Sequence, residues 1–137
     1  MRSKDPITST QLSDAARRFT DAFNDNDLAG VMDWFAEDSV YDQFNGEQAR
    51  GIDEIRRAFE PQFAGAFGVM KFIEEDVFAD ADANKVMISW ACSLETKQGT
   101  ASWRGLDLLH FDEEMKITHK STYAKAESLK LEAPEDD

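Results

Sequence analysis

The stretch 101–125 constrains the fold more than any other, because it is typical of two antiparallel strands joined by a turn at residues 112–114. Side chains alternate across a strand, so every second residue of the first strand shares one face. That face is apolar except for one acid, Asp107. An ionised acid is costly to bury, so Asp107 must be neutral, paired, or beside solvent in a cavity. The residues of this face are Trp103, Gly105, Asp107, Leu109 and Phe111.

Four consecutive antiparallel strands are predicted over the C-terminal half of the chain. Residues 71–78 and 85–96 form the first two, with a turn between them in which Ala and Asp alternate. A turn at residues 97–100 then leads into the two strands described above. The strand 85–96 presents one continuous apolar face, made of Val86, Ile88, Trp90, Cys92 and Leu94.

The N-terminal half predicts three helices with one short strand among them. The first helix is amphipathic. Thr8, Ser9 or Thr10 can cap it, Thr8 and Gln11 have capping-box spacing, and the polar segment 24–26 ends it. Asp27 caps a shorter second helix, the strand 40–44 follows, and Gly51 opens the third helix. Helices and strands segregated in this way indicate an α+β fold, in which the helices cover one face of a curved sheet. We expect a conical cavity between the two layers.

Composition limits the classes of partner. The formal net charge of −13 argues against binding nucleic acid or an anionic membrane surface. No apolar run approaches the ~20 residues of a membrane span, and the N-terminus lacks the apolar core of a signal peptide. A single cysteine, Cys92, excludes an internal disulfide and fits a reducing compartment. We therefore expect a cytoplasmic protein.

The chain is long enough to bury one core, so we expect a single domain over residues 8–126. A flexible N-terminus (1–7) precedes it, and an acidic tail (127–137) that we expect to be disordered follows it. The sequence has no phosphate-binding loop, no Rossmann glycine pattern and no nucleophile elbow, and His119 lacks a second ligand at metal spacing. We therefore expect neither a cofactor nor a metal site.

Three segments together resemble the NTF2-like superfamily, and within it the group of SnoaL-like polyketide cyclases and ketosteroid isomerases. They are FTDAFNDNDLAGVMDWFAEDSVYD (19–42), GIDEIRRAF (51–59) and WRGLDLLHFDEEMKITHKSTY (103–123). The resemblance implies a cone-shaped, cystatin-like fold, in which three N-terminal helices pack on a strongly curved, mostly antiparallel sheet that encloses a pocket. It also implies a homodimer formed through the outer face of the sheet. It specifies no activity, because this fold hosts several unrelated functions.

Asp42 and Asp107 occupy the positions of two catalytic carboxyls of the ketosteroid isomerases. The resemblance implies that Asp42 is the base that takes a proton from carbon, while a neutral Asp107 hydrogen-bonds the enolate oxygen. Phe19 stands where that family has a second oxyanion donor, a tyrosine, so one hydroxyl is missing. The side chains able to replace this donor are Tyr41, Trp90, Trp103 and Tyr123.

Three functions stay open from the sequence. The first is an enzyme that isomerises, cyclises or dehydrates a hydrophobic carbonyl compound, with Asp42 and Asp107 as its catalytic residues. The second is a domain that binds a hydrophobic small molecule without turnover, and the third is a protein-association module. A structural interpretation competes with each: Asp42 can end a strand at the solvent edge, and Asp107 can be satisfied by a nearby tryptophan or backbone group.

The expected pocket is mainly apolar, with a small number of polar groups. The inward face of the last strand stays open, since either residues 120 and 122 or residues 119, 121 and 123 face the cavity. The outward side chains of the strand before it are mixed rather than charged, which suits a sheet-to-sheet contact between two subunits. Besides the two carboxyls, the expected pocket residues are Phe19, Tyr41, Phe59, Trp90, Cys92, Trp103, Leu109, Phe111 and Tyr123.

Overall fold

The computed structural model of the chain describes residues 6–66 and 68–125. The predicted N-terminal segment 1–7 lies mostly outside these residues, and the predicted acidic tail 127–137 lies entirely outside them. In chain order, the helices and strands are α1 (Ser9–Asn24), α2 (Leu28–Met32), β1 (Phe35–Asp42), β2 (Gln48–Arg50), α3 (Gly51–Phe63), β3 (Val69–Asp80), β4 (Lys85–Thr96), β5 (Gly99–Phe111) and β6 (Ile117–Lys125).

The strands of the described chain form one six-stranded sheet, in the order β2-β1-β6-β5-β4-β3. The four C-terminal strands make the predicted antiparallel meander, in which Asp107 lies opposite Thr122. β1 joins this meander beside β6 and runs parallel to it, while β2 pairs with β1 at the edge of the sheet. The predicted α+β architecture with a mostly antiparallel sheet is confirmed.

Irregular pairing bends this sheet toward the helices. The register shifts at residues 35–40, 74–76 and 110–111, on strands that span the sheet. An extra residue in one strand bends that strand and increases the local twist. α1 packs against β3 and β4, and α3 packs against β1, so both helices lie over the same face of the curved sheet.

The first helix begins and ends where the local sequence predicts. The Thr8 hydroxyl accepts a hydrogen bond from the Gln11 backbone N–H at 3.1 Å, and the Gln11 side chain accepts one from the Thr8 N–H at 2.8 Å. At the other end, the Asn24 side-chain amide bonds both backbone groups of Phe72, at 2.7 and 2.8 Å. Asn24 therefore anchors the end of α1 to β3. None of the described helices is long and apolar enough to cross a membrane.

The first strand differs from its prediction. β1 begins at Phe35 rather than at Val40 and ends at Asp42 rather than at Phe44. β2 lies in residues 45–50, which the polar sequence predicts to be a loop. A tight hairpin explains the earlier end: the Gln43 N–H donates to the Glu47 carbonyl at 2.9 Å. Gly46 has a φ of 89° in this turn, a conformation that glycine adopts without strain.

The alternating face predicted for the strand 101–111 is confirmed. Asp107, Leu109 and Phe111 are buried, while Trp103 and Gly105 are half-buried. Gly105 lies opposite Trp90 in the neighbouring strand, and the Trp90 ring lies across it. A Cβ atom at position 105 would lie 2.5 Å from Cη2 of that ring and 2.4 Å from the Tyr123 carbonyl oxygen. The missing side chain therefore makes room for an indole.

Gly105→Ala should destabilise the fold by about 1–3 kcal/mol, because the added methyl displaces both the Trp90 ring and the backbone of β6. Urea denaturation followed by circular dichroism measures the change. Ser102→Ala, at an exposed position of the same strand, is the control and should change stability by less than about 0.5 kcal/mol. An unchanged midpoint for Gly105→Ala would show that β6 and the indole shift without cost.

Candidate functional site

A cavity of about 830 Å³ lies between the inner face of the sheet and the helices α1 and α3. Its wall is largely aromatic, and Asp107 and Lys120 are its two charged lining residues. The aromatic lining residues are Phe23, Tyr41, Phe44, Phe59, Phe72, Trp90 and Trp103.

The expected site residues divide into three groups: those that line the cavity, those buried beneath it, and Asp42 and Tyr123, which face outward. Tyr41, Phe59, Trp90, Trp103 and Asp107 line the cavity. A second group is at most 5% exposed, does not reach the cavity, and consists of Phe19, Cys92, Leu109 and Phe111.

The second group was wrongly placed because inward-facing residues also make up the core beneath the cavity. Phe19, Leu109 and Phe111 belong to that core cluster, and Phe19 stacks edge-on against Phe23 and Phe35. Cys92 is fully buried, and this burial raises the pKa of its thiol to about 11. A thiol that stays protonated at neutral pH is a poor nucleophile.

The register of β6 settles which of its residues look inward. Lys120 is 4% exposed and lines the cavity together with Thr122. Alternation then places His119, Ser121 and Tyr123 on the outer face. Tyr123 is accordingly 54% exposed, so its expected place in the pocket is wrong.

Asp107 is paired, one of the three states open to a buried acid. Lys120 Nζ lies 3.0 Å from Asp107 Oδ1, and the Thr122 hydroxyl donates to the same oxygen at 2.6 Å. Lys120 Nζ also donates to Thr122 Oγ1 at 2.6 Å, and the indole N–H of Trp90 donates to Asp107 Oδ2 at 3.3 Å. Donors around a carboxyl stabilise its charged form. The network therefore supports a carboxylate, and not the neutral acid that the resemblance implied.

Aromatic rings surround the ammonium group of Lys120. Nζ lies 4.3 Å from the centroid of the Tyr41 ring, 5.7 Å from that of Phe59 and 5.9 Å from that of Phe23. Burial is the largest single influence on the pKa of Lys120 and lowers it, but the charge interactions and hydrogen bonds with Asp107 and Tyr41 together hold the pKa above its usual value. The cavity therefore contains an ion pair with no net charge.

Asp42 lies outside the cavity, so the implied arrangement of two carboxyls facing one cavity is wrong. In the parallel register, Tyr41 is opposite Lys120 and points inward, so the adjacent Asp42 points outward. Asp42 Oδ2 lies 2.5 Å from His119 Nε2, and Oδ1 accepts from the Gln48 amide. The hydrogen bond from Gln48 and then that from His119 lower the pKa of Asp42. Asp42 thus belongs to a polar cluster on the outer face.

Lys120 is the residue that sequence reasoning did not single out. The segment ITHKSTY has no apolar alternation, so its inward face cannot be assigned from pattern. Charge could have identified Lys120, because a buried acid on one strand needs a cation nearby, and a lysine on the neighbouring strand can supply it. In the described ranges, no group of three or more His, Cys, Asp or Glu side chains is placed to hold a metal ion.

A family model described as a SnoaL-like domain matches residues 16–120. Among curated proteins, none matches the sequence significantly.

Several solved structures share the fold. An NTF2-like protein of unknown function from Mesorhizobium loti is 22% identical with a TM-score of 0.70, covering 91% of this chain and 98% of its own. A proposed polyketide cyclase from Xanthomonas campestris pv. campestris is 18% identical, with a TM-score of 0.69 and coverages of 84% and 90%. A protein of unknown function with a cystatin-like fold, from Methylobium petroleophilum PM1, is 16% identical, with a TM-score of 0.69 and coverages of 97% and 99%.

Lys120→Met should destabilise the protein by about 3–5 kcal/mol, because it leaves the Asp107 carboxyl buried without its cation. The double variant Lys120→Met/Asp107→Leu should lose less than the sum of the two single changes. Urea denaturation of all four proteins of this cycle measures the coupling.

The exposed pair Arg104–Glu75 offers a matched control, since it is also an ion pair between strands of the sheet. The same cycle with Arg104→Met and Glu75→Leu should give a coupling below about 1 kcal/mol. Equal coupling in both cycles would mean that burial adds nothing to the interaction of Lys120 with Asp107.

Proposed function

This chain belongs to the SnoaL-like domain family, and we propose that it binds a hydrophobic small molecule in the cavity between its helices and its sheet. The observation that carries the proposal is the cavity itself, whose volume of about 830 Å³ suits a drug-sized ligand. Its wall is rich in aromatic side chains, which offer apolar surface and ring faces, and its polar groups can orient a ligand.

The opening of the cavity favours an uncharged ligand. Phe44 and Asn45 line the cavity and are also exposed, so they mark its opening. The lining residues Gln62 and Ser102 are uncharged as well. A protein with a formal net charge of −13 repels anions, and the internal ion pair presents no net charge to attract a counter-ion. A neutral hydrophobic molecule therefore fits best.

Binding without turnover fits the geometry better than the enzyme with two carboxyls. That enzyme needs Asp42 and Asp107 on either side of one substrate, whereas Asp42 lies on the outer face of the sheet. Isomerisation, cyclisation or dehydration of a hydrophobic carbonyl compound is the second candidate. It is favoured by one observation, the Asp107 carboxylate in the cavity wall, which can act as a general base.

Ala124→Trp should abolish binding of N-phenyl-1-naphthylamine, a neutral dye that fluoresces in apolar sites, because the indole fills space at the cavity wall. We expect the affinity to fall by more than about tenfold, or ~1.4 kcal/mol. A fluorescence titration measures it. Ala83→Trp makes the same change in an exposed turn away from the cavity and should bind like the parent protein. Equal binding by both variants, or no binding by the parent, would contradict the proposal.

We also propose that the outer face of the sheet joins two copies of the chain. Four large apolar side chains with more than half of their surface exposed lie on this face: Val69, Ile73, Phe78 and Tyr123. Exposed apolar side chains gathered on one face are typical of an interaction surface. The half-buried Leu106 and Leu108 extend this surface toward the centre of the sheet.

Ile73→Lys should weaken this dimer, because Ile73 is 63% exposed and its replacement puts a charge into the contact. Sedimentation velocity over a concentration series should show a dimer for the parent protein and a monomer for the variant. Ala64→Lys adds the same charge at the exposed end of α3 and should leave the dimer intact. A monomeric parent protein would refute this assembly.

A further inference from the structure

The two oxygens of Asp107 differ in how fully the protein uses them. Oδ1 receives hydrogen bonds from Lys120 Nζ and from the Thr122 hydroxyl, at 3.0 and 2.6 Å. Oδ2 receives one bond among the described residues, from the Trp90 indole N–H, and that bond is 3.3 Å long. A carboxylate has about four acceptor positions in all. Oδ2 therefore keeps acceptor capacity in the wall of the cavity.

The donors around Asp107 are already committed. The Thr122 hydroxyl has a single hydrogen, which it gives to Oδ1. Lys120 has three N–H groups: two bond Asp107 and Thr122, and the ammonium lies 4.3 Å from the face of the Tyr41 ring. The one N–H of Trp90 goes to Oδ2. At Oδ2 a ligand thus meets an acceptor, while the donors that bond Asp107 are already used.

We propose that the ligand is a neutral aromatic molecule whose hydroxyl or N–H group donates to Asp107 Oδ2, a phenol being the simplest example. This inference rests on the proposed function, because it needs a ligand in the same cavity. It reverses the polarity that the resemblance implies, in which the protein donates to a carbonyl oxygen. A carbonyl group placed against Oδ2 meets a carboxylate and no donor, so the site disfavours it.

Lys120 sets this preference through its bond to Asp107 Oδ1. A carboxyl in an aromatic cavity is neutral unless a cation or several donors stabilise its charge. Lys120 and Thr122 supply that stabilisation at Oδ1, which leaves Oδ2 as an acceptor. Burial of Lys120 at 4% exposure also keeps water from competing for the pair. Lys120 is therefore a positioning residue, and Asp107 is the residue that contacts the ligand.

Asp107→Asn converts the free acceptor into a donor. Lys120 and Thr122 both donate to the oxygen at the Oδ1 position, so the amide oxygen stays there. The amide NH₂ group then occupies the Oδ2 position, loses the bond from the Trp90 indole N–H, and can donate to a ligand in the cavity. This variant keeps the shape of the side chain, and it should prefer a carbonyl ligand over a hydroxyl ligand.

Three 2-substituted naphthalenes, which differ only in the substituent, test the proposal: 2-naphthol, 2-methylnaphthalene and 2-acetylnaphthalene. Competition with N-phenyl-1-naphthylamine at neutral pH, where 2-naphthol is un-ionised, gives their relative affinities. The parent protein should bind 2-naphthol about tenfold or more tightly than 2-methylnaphthalene, because a hydrogen bond to a charged acceptor is added. It should bind 2-acetylnaphthalene no better than 2-methylnaphthalene. Asp107→Asn should reverse the order of 2-naphthol and 2-acetylnaphthalene.

Two variants complete the test. Asp42→Asn makes the same carboxyl-to-amide change on the outer face and should keep the parent order of affinities. Lys120→Met should weaken the preference for 2-naphthol, because it removes the cation that bonds Asp107 Oδ1. If Lys120→Met does not fold, the affinities of Asp107→Asn for the three probes decide the test. The amide oxygen of this variant still accepts hydrogen bonds from Lys120 and Thr122.

The outcomes separate the two proposals. A parent protein that prefers 2-acetylnaphthalene, or an Asp107→Asn variant that keeps the 2-naphthol preference, overturns the inference. Equal binding of all three probes also overturns it but leaves the hydrophobic binding function standing. No binding of any probe, or binding that Ala124→Trp leaves unchanged, overturns the binding function itself.

Discussion

The parallel pairing of β1 with β6 decides which side chains reach the cavity. It sets Tyr41 against Lys120, both inward, and thereby turns Asp42 and His119 to the outer face. Because side chains alternate, a slip of one residue in this pairing would turn the side chains of the slipping strand to the other face. A slip of β6 would remove the ammonium group from the cavity, and a slip of β1 would bring Asp42 into it. The chemistry of the site depends on this register more than on any single residue.

The ion pair of Lys120 and Asp107 is costly to bury, and the surrounding groups offset much of that cost. Thr122 bonds both members, Trp90 bonds the far oxygen, and the Tyr41 ring faces the ammonium. Replacing a buried ion pair with apolar residues is often neutral or stabilising. This network lies at the wall of an open cavity and keeps an acceptor at Asp107 Oδ2, which fits the proposed role in ligand recognition better than a role in stability.

Membership of a fold family and the chemistry of a site are separate conclusions for this chain. The three solved structures described above are 16–22% identical to this chain, and two of them are of unknown function. The shared fold does not fix an activity, which depends on the few polar side chains that enter the cavity of each protein. Here Lys120 and Asp107 form a pair with no net charge, and Asp107 Oδ2 can accept a further hydrogen bond. That detail, and not the fold, carries the proposed preference for a hydroxyl ligand.

The sequence by itself determined the features that depend on neighbours along the chain. The Thr8 capping box, the start of α3 at Gly51, and the alternation that buries Asp107 all follow from spacings of two to four residues. Only the tertiary structure decided the inward face of β6, the exclusion of Asp42 from the cavity and the partner of Asp107. These depend on contacts between strands far apart in sequence, such as residues 41 and 120. No local pattern specifies them, because a polar strand such as β6 gives no apolar periodicity from which to read its register.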